Sequence, residues 1–239
     1  MSSDQIEKAF PYKPPSDAIR NNFRHIFNIR DPLAERMSKR LFDIFFGTSL
    51  FVLTLPILLI LKLAYLIEGM ILPSHRGPML YYYYAVSAGK IIKKYKLRLI
   101  KMECIDPDGA RRHDWAAYSK EWAPDARTFM GVFVKKFYLD EIPQFFSVVK
   151  GDISIVGPRP LSVVHYERDL NQGNVTRKLL KGGLLGLGHI NKGTDEMGNP
   201  QYEYQYADSY INLTALELIR LDFWIIYRGI VLMAKGGGH

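Results

Sequence analysis

The hydrophobic pattern along this chain has one dominant feature: Ile44 to Leu61 runs for 18 residues without a charge. A run of that length meets the minimum for a helix in the hydrocarbon of a bilayer, and it lacks the polar stripe of a buried soluble helix. Pro56 interrupts it, which removes one backbone hydrogen bond and bends the helix. Thr48, Ser49 and Thr54 stand close enough to take up freed carbonyls, the way such breaks are tolerated in lipid. Arg36, Lys39 and Arg40 precede the run, and Lys62, His75 and Arg76 follow it. Lysine and arginine favour the cytoplasmic side, so both ends prefer the same side. The pattern predicts a re-entrant helix that enters, turns near Pro56 and returns; a simple kinked span is the alternative. Asp43 and Lys62 fall near the interface, where long side chains snorkel.

Around this run the periodicities are those of a globular domain. Residues 1–35 read as an irregular arm with a short helix around Asp17 to Phe27. Lys94, Lys96 and Arg98 alternate with Tyr95, Leu97 and Leu99, the period of a strand with one basic face. Asp106-Pro107-Asp108-Gly109 is a turn, and residues 111–123 read as irregular or briefly helical. Ile142, Phe145, Phe146 and Val149 form the apolar face of an amphipathic helix, with Pro143 in its first turn and Gly151 at its end. Ile153 to Val156 is a short strand, Leu161 to Leu170 a helix. Leu213 to Ala234 is a strongly apolar helix that packs in the core or lies on the membrane surface. The predicted fold is α+β, mainly helical: a membrane-inserted re-entrant helical hairpin plus a cytoplasmic mixed domain with a small sheet. Its divisions are an N-terminal arm (1–35), a membrane helix (36–72) and a catalytic-type domain (73–239).

Composition narrows the partners. With 239 residues, 48% hydrophobic, the chain can bury one ordinary core. The net charge of +8 calls for an anionic partner, which nucleic acid, an anionic leaflet or a phosphorylated substrate would supply. A nucleic-acid module explains the charge but not the uncharged run, so no nucleic acid is expected. Cys104 is the single cysteine, which excludes an intrachain disulfide and a cysteine zinc cluster.

Three features carry possible chemistry. Asp140 and Glu141 stand just before a helix start, where a carboxylate is favoured in its charged form. Such adjacent acids serve as helix caps, bind a divalent cation, or divide the roles of nucleophile and metal ligand. Gly157-Pro158-Arg159-Pro160 fixes φ on both sides of one arginine, which suits a guanidinium offered to phosphate. The basic strand, with Lys90, Lys93 and Lys101 beside its alternating trio, is either a solvated or headgroup-facing surface or a phosphate site. A lipid-inserted segment with paired acids and constrained cations suggests phosphate chemistry at a membrane surface.

The stretch Leu139-Asp140-Glu141-Ile142-Pro143-Gln144, followed by Val149-Lys150-Gly151-Asp152-Ile153-Ser154-Ile155-Val156-Gly157-Pro158-Arg159-Pro160, resembles the signature block of the monotopic phosphoglycosyl transferases, or bacterial sugar transferases. Lys39-Arg40-Leu41-Phe42-Asp43, Pro56, Gly77-Pro78 and Tyr95-Lys96-Leu97-Arg98 are similar to further family elements. The resemblance implies a sugar-1-phosphate transfer from a nucleotide diphosphosugar, such as a UDP-sugar, to polyprenyl phosphate through a covalent aspartyl intermediate. It implies Asp140 as nucleophile, Glu141 together with Asp140 as the Mg²⁺ site, and Arg159, Arg127, Lys96, Arg98 and Lys135 as phosphate-binding residues. It implies the cytoplasmic face of the bacterial inner membrane, with other membrane proteins or further copies of the chain as possible partners. The chain departs from the family's pattern at Tyr83 to Ser87, at Asp125-Ala126-Arg127-Thr128 and at Lys181 to Gly186. These departures support the competing reading, a non-catalytic relative serving as a structural or assembly subunit of a membrane complex.

Overall fold

The computed structural model describes residues 11–191 and 193–234; residues 1–10 of the predicted arm lie outside it. The apolar run is the centre of one 35-residue helix, Met37–Ile71 (α3), about 50 Å long at 1.5 Å per residue. It is preceded by two short helices of the arm, Asp17–Asn22 (α1) and Arg24–Phe27 (α2). Pro56 lies inside α3, which is one continuous helix rather than two separated by a turn. The carbonyl that a proline at 56 leaves without its donor is that of Val52. Ser49 donates instead to Phe45, and Thr54 to Leu50 and Phe51, the back-bonding that bends helices.

One face of α3 lies against the domain at both ends. Phe42, Asp43 and Gly47 are buried near its start, and Leu61, Tyr65, Glu68 and Gly69 near its end. A Cβ on Gly47 would come 2.8 Å from Val148, so the helices touch closely there. At the far end the Tyr65 hydroxyl donates to the Arg98 carbonyl, and the Glu68 carboxylate accepts from Phe129 N–H at 2.7 Å. Between these ends Val52, Leu53, Leu55, Ile57, Leu59 and Ile60 are exposed.

The domain is built on a hairpin, β1 (Leu80–Ser87) against β2 (Lys90–Leu97), paired along its whole length. Its two-residue turn puts Ala88 and Gly89 at φ 48° and 70°, the left-handed geometry that follows the twist of the strands. The β1 strand falls on the Tyr81 to Tyr84 run, for which the sequence reading assigned no element. The basic face of β2 points inward: Lys94, Lys96 and Arg98 are 3%, 3% and 1% exposed. After the short helix Pro107–Arg111 (α4) come a 3₁₀ segment, Trp115–Trp122, and the helix Phe129–Lys136 (α5). A 3₁₀ turn, Leu139–Glu141, leads into Gln144–Lys150 (α6), which ends on Gly151 at φ 93°. The strand Ser154–Val156 (β3) pairs in parallel with Gly183–Leu185 (β5), and Leu161–Ser162 (β4) pairs with β1. Among the described residues the strands thus form two small sheets, β2-β1-β4 and β3-β5, where one was expected. Val163–Asn171 (α7), Thr176–Leu179 (α8), Gln201–Asn212 (α9) and Ala215–Ala234 (α10) complete the fold.

The main core joins elements far apart in sequence. Ile19 and Ile26 of the arm are buried with Phe42, Val148, Ile155, Leu179, Tyr204, Leu218 and Ile225. The helical part of the arm, residues 17–27, therefore contributes to the core. Several helices also keep apolar side chains outside. Phe129, Val132 and Phe133 on α5, and Phe223, Trp224, Tyr227 and Ile230 on α10, are exposed.

Candidate active site

Asp140 reaches its place through backbone geometry. Tyr138 adopts a left-handed conformation (φ 56°), which ends α5 and turns the chain into the Leu139–Glu141 turn. The turn tucks the Asp140 carboxylate against β2, and the residue is 2% exposed. Its Oδ2 is buried and faces two ammonium groups, Lys96 Nζ at 3.1 Å and Lys135 Nζ at 3.7 Å. Lys96 is shared, because its Nζ also lies 3.1 Å from Glu121 Oε2. Lys135 in turn sits 5.0 Å from the centre of the Trp122 ring.

Glu141 points to the other side of the turn, where its Oε1 accepts from Arg159 Nη2 at 2.9 Å. The arginine is carried on the Gly157-Pro158-Arg159-Pro160 turn, between β3 and β4. The turn is held from behind: Gly157 N–H donates to the Leu185 carbonyl and Gly183 N–H to that of Pro158. A Cβ on Gly183 would lie 2.1 Å from the Gly157 nitrogen, so the two backbones meet where no side chain fits. Arg177 Nε donates to the Arg159 carbonyl at 3.1 Å, and Arg177 is itself ion-paired with Asp169 and Glu203.

The electrostatics follow from these contacts. Burial pushes the Glu141 carboxyl up, but Arg159, then Lys94, Lys96 and Lys135, outweigh it and hold the group well below the usual carboxylate range. Burial likewise raises Glu121, and Lys96 and Lys135 more than reverse it. Lys96 is raised because Glu121 and Asp140 overcome the burial of its ammonium. Lys94 is the opposite case. Burial, then Arg159, lower its ammonium to about 7, and its Nζ donates to the Pro160 carbonyl at 3.3 Å.

Of the residues singled out from sequence, Asp140, Glu141, Arg159, Lys96 and Lys135 come together. Arg98 and Arg127 are placed otherwise. All three guanidinium nitrogens of Arg98 donate to backbone carbonyls, of Pro78, Ile100 and His75. Arg127 Nε donates to the Glu121 carbonyl at 3.0 Å, so it braces the segment carrying that acid. Lys90 and Lys93 are exposed, and the Lys101 ammonium donates to the Asp125 carbonyl at the surface. Sequence reasoning missed Glu121, Lys94 as a buried amine, and His189. The buried Nε2 of His189 makes no hydrogen bond among the described residues. Burial, then Arg159, push its imidazole down to about 3, so it is neutral.

No group of three or more His, Cys, Asp or Glu side chains converges among the described residues. A divalent ion here would rest on Glu141 and on oxygens brought by a ligand. That donor set suits Mg²⁺, which binds through one or two carboxylates plus phosphates and keeps several waters.

Comparison with known proteins matches residues 34–236 to the family described as bacterial sugar transferase. A UDP-glucose:undecaprenyl-phosphate glucose-1-phosphate transferase of Klebsiella pneumoniae is 31% identical over 204 residues, covering 81% of this chain and 40% of that protein. The Escherichia coli (strain K12) protein of the same description is 31% identical, with 82% and 41% covered. A putative undecaprenyl-phosphate N-acetylgalactosaminyl 1-phosphate transferase of Bacillus subtilis (strain 168) is 30% identical, with 62% and 76% covered. The chain thus spans about two fifths of the length of the first two relatives.

Proposed function

This chain belongs to the bacterial sugar transferase family, and from that premise we propose that it moves a sugar-1-phosphate from a nucleotide diphosphosugar to polyprenyl phosphate through Asp140. The observation that carries this reading is the pair of ammonium groups set against the buried Asp140 carboxylate. Lys96 Nζ and Lys135 Nζ stand 3.1 and 3.7 Å from its Oδ2, so the acid is placed beside cations that would also meet the transferred phosphate. A carboxylate oxygen of Asp140 forms a bond to the sugar-linked phosphorus while the bond to the bridging diphosphate oxygen breaks, releasing nucleoside monophosphate. A phosphate oxygen of the polyprenyl acceptor then attacks the same phosphorus, and the carboxylate is regenerated. Arg159 and the lysines neutralise charge on the transferred group, the main task in phosphoryl transfer. When bound at Glu141, Mg²⁺ would screen repulsion between the carboxylates and the diphosphate.

The reading places α3 in the bilayer as a re-entrant helix, with the domain on the cytoplasmic face. In support, both ends of α3 lie on the same domain, while its centre and the outer faces of α5 and α10 expose apolar side chains. A bilayer would cover that surface, and exposed apolar surface of this kind marks a membrane or protein contact.

One observation favours a second reading, a structural subunit without catalysis. Asp140 is 2% exposed, and a cleft of about 440 Å³ lies elsewhere, lined by Glu35, Lys39, Asp43, Lys90, Asp152 and Lys181 among others. The decisive experiment is nucleotide release in nanodiscs, with Mg²⁺, polyprenyl phosphate and a panel of UDP-sugars. Release of UMP that vanishes in Asp140→Asn is expected. Silence across the panel, from folded protein, would transfer the role to the structural subunit.

A further inference from the structure

Glu121 is 4% exposed, and among the described residues its one ion pair is with the Lys96 ammonium, with Oε2 at 3.1 Å and Oε1 at 3.4 Å. The same ammonium lies 3.1 Å from Asp140 Oδ2. The segment carrying Glu121 is fixed independently of these charges: Arg127 donates to the Glu121 carbonyl, and Asp114 caps the start of the 3₁₀ turns. The arrangement is a buried acid–ammonium–acid bridge with the nucleophile at one end. We propose that Glu121 is a positioning residue for the transfer: it shares the Lys96 ammonium with Asp140, and so sets how tightly the nucleophile is held and how much positive charge meets the diphosphate. This inference rests on the function proposed above.

Two consequences of opposite sign follow. An ammonium given wholly to Asp140 binds its carboxylate more strongly in a medium of low dielectric, and a carboxylate so held is a weaker nucleophile. Glu121 divides that hold. It also balances charge: the ion pairs set Glu121, Asp140 and Glu141 against Lys96, Lys135 and Arg159, with the buried Lys94 amine beside them. Neutralising Glu121 removes one negative charge from the site, which then attracts the diphosphate more strongly while the chemical step slows. A residue that merely fills space predicts neither the split nor its direction.

The experiment compares Glu121→Gln, which keeps the shape and loses the charge, with Glu121→Asp, which keeps the charge and loses a methylene. Both are assayed for UMP release in nanodiscs, on the UDP-sugar that the unsubstituted protein uses best. Glu121→Gln is expected to lower kcat about tenfold or more, with KM unchanged or reduced, and Glu121→Asp to stay within about threefold of the unsubstituted kcat. Full kcat in Glu121→Gln, a KM that rises as kcat falls, or a Gln variant faster than the Asp variant would overturn the inference. If Glu121→Gln does not fold, Glu121→Asp decides alone: kcat within about threefold supports sharing, and a tenfold loss overturns it. Absence of UMP release from the unsubstituted protein would sink the functional reading, and this inference with it.

Discussion

Lys94 shows how burial rewrites a single side chain. It is 3% exposed beside Arg159, and burial, then that guanidinium, lower its ammonium to about 7 from the ordinary 10.5. Between those two values the unfolded chain binds a proton that the folded chain does not, so stability rises with pH across the window. Below about 7 the fold has to bury the charge. The urea midpoint is therefore expected to increase from pH 7 to pH 9, with this group contributing up to about 1.4 kcal/mol per pH unit. Lys94→Met should flatten that rise and be the more stable protein at pH 6.5; an unchanged slope would remove Lys94 as its source. The neighbouring site residues differ in how readable they were. Asp140, Glu141 and Arg159 carry local marks, a pair of acids before a helix and an arginine between two prolines. Glu121 carries none, because its meaning lies in an ammonium 25 positions away. Arg98 misled for the converse reason: strand alternation placed it correctly on the face of Lys96, but the carbonyls that consume its donors belong to Ile100 and to the preceding loop at His75 and Pro78.

At the scale of elements, periodicity served best where one face is uniform. The amphipathic helix of Ile142 to Val149, the short strand at Ile153 and the apolar C-terminal helix all appear, with ends shifted by a few residues. The Tyr81 to Tyr84 run gave no strand signal, because tyrosine occupies both faces of β1 and erases the alternation on which such a reading depends. Pro56 is the element whose role a single substitution tests. Restoring the backbone donor with Pro56→Ala allows a straight α3. Single cysteines at positions 38 and 74, in a Cys104→Ala background, report which side each end occupies. With Pro56 both should react with an impermeant thiol reagent from the same side, and Pro56→Ala should move one out of reach. Opposite-side labelling with Pro56 in place would establish a span instead of a re-entrant helix.

On the scale of the whole molecule, the described part of the arm and α3 pack into one core. Ile26 is fully buried, Phe27 stacks on Tyr204 at 4.8 Å, and Leu33 N–H bonds the Leu179 carbonyl. Ile26→Ala should therefore cost about 2–5 kcal/mol of stability, the range for truncating a large core side chain, read from denaturant midpoints. A loss below about 0.5 kcal/mol would mean that the arm is detachable. Sequence concealed this integration because proline and polar residues surround the few apolar ones, and only their partners in α8 and α9 show that they point inward.

The attachment at the end of α3 has a consequence for how reactants meet. Tyr65 bonds the carbonyl of Arg98, two residues from the lysine that grips Asp140, and Glu68 holds the first N–H groups of α5, which carries Lys135. In the proposed reaction the bilayer is then a reference plane for the chemistry. The depth at which α3 floats fixes the height of the carboxylate above the lipid phosphates. A polyprenyl acceptor confined to that same plane reaches the nucleophile by lateral search in two dimensions, while the water-soluble donor arrives from the third.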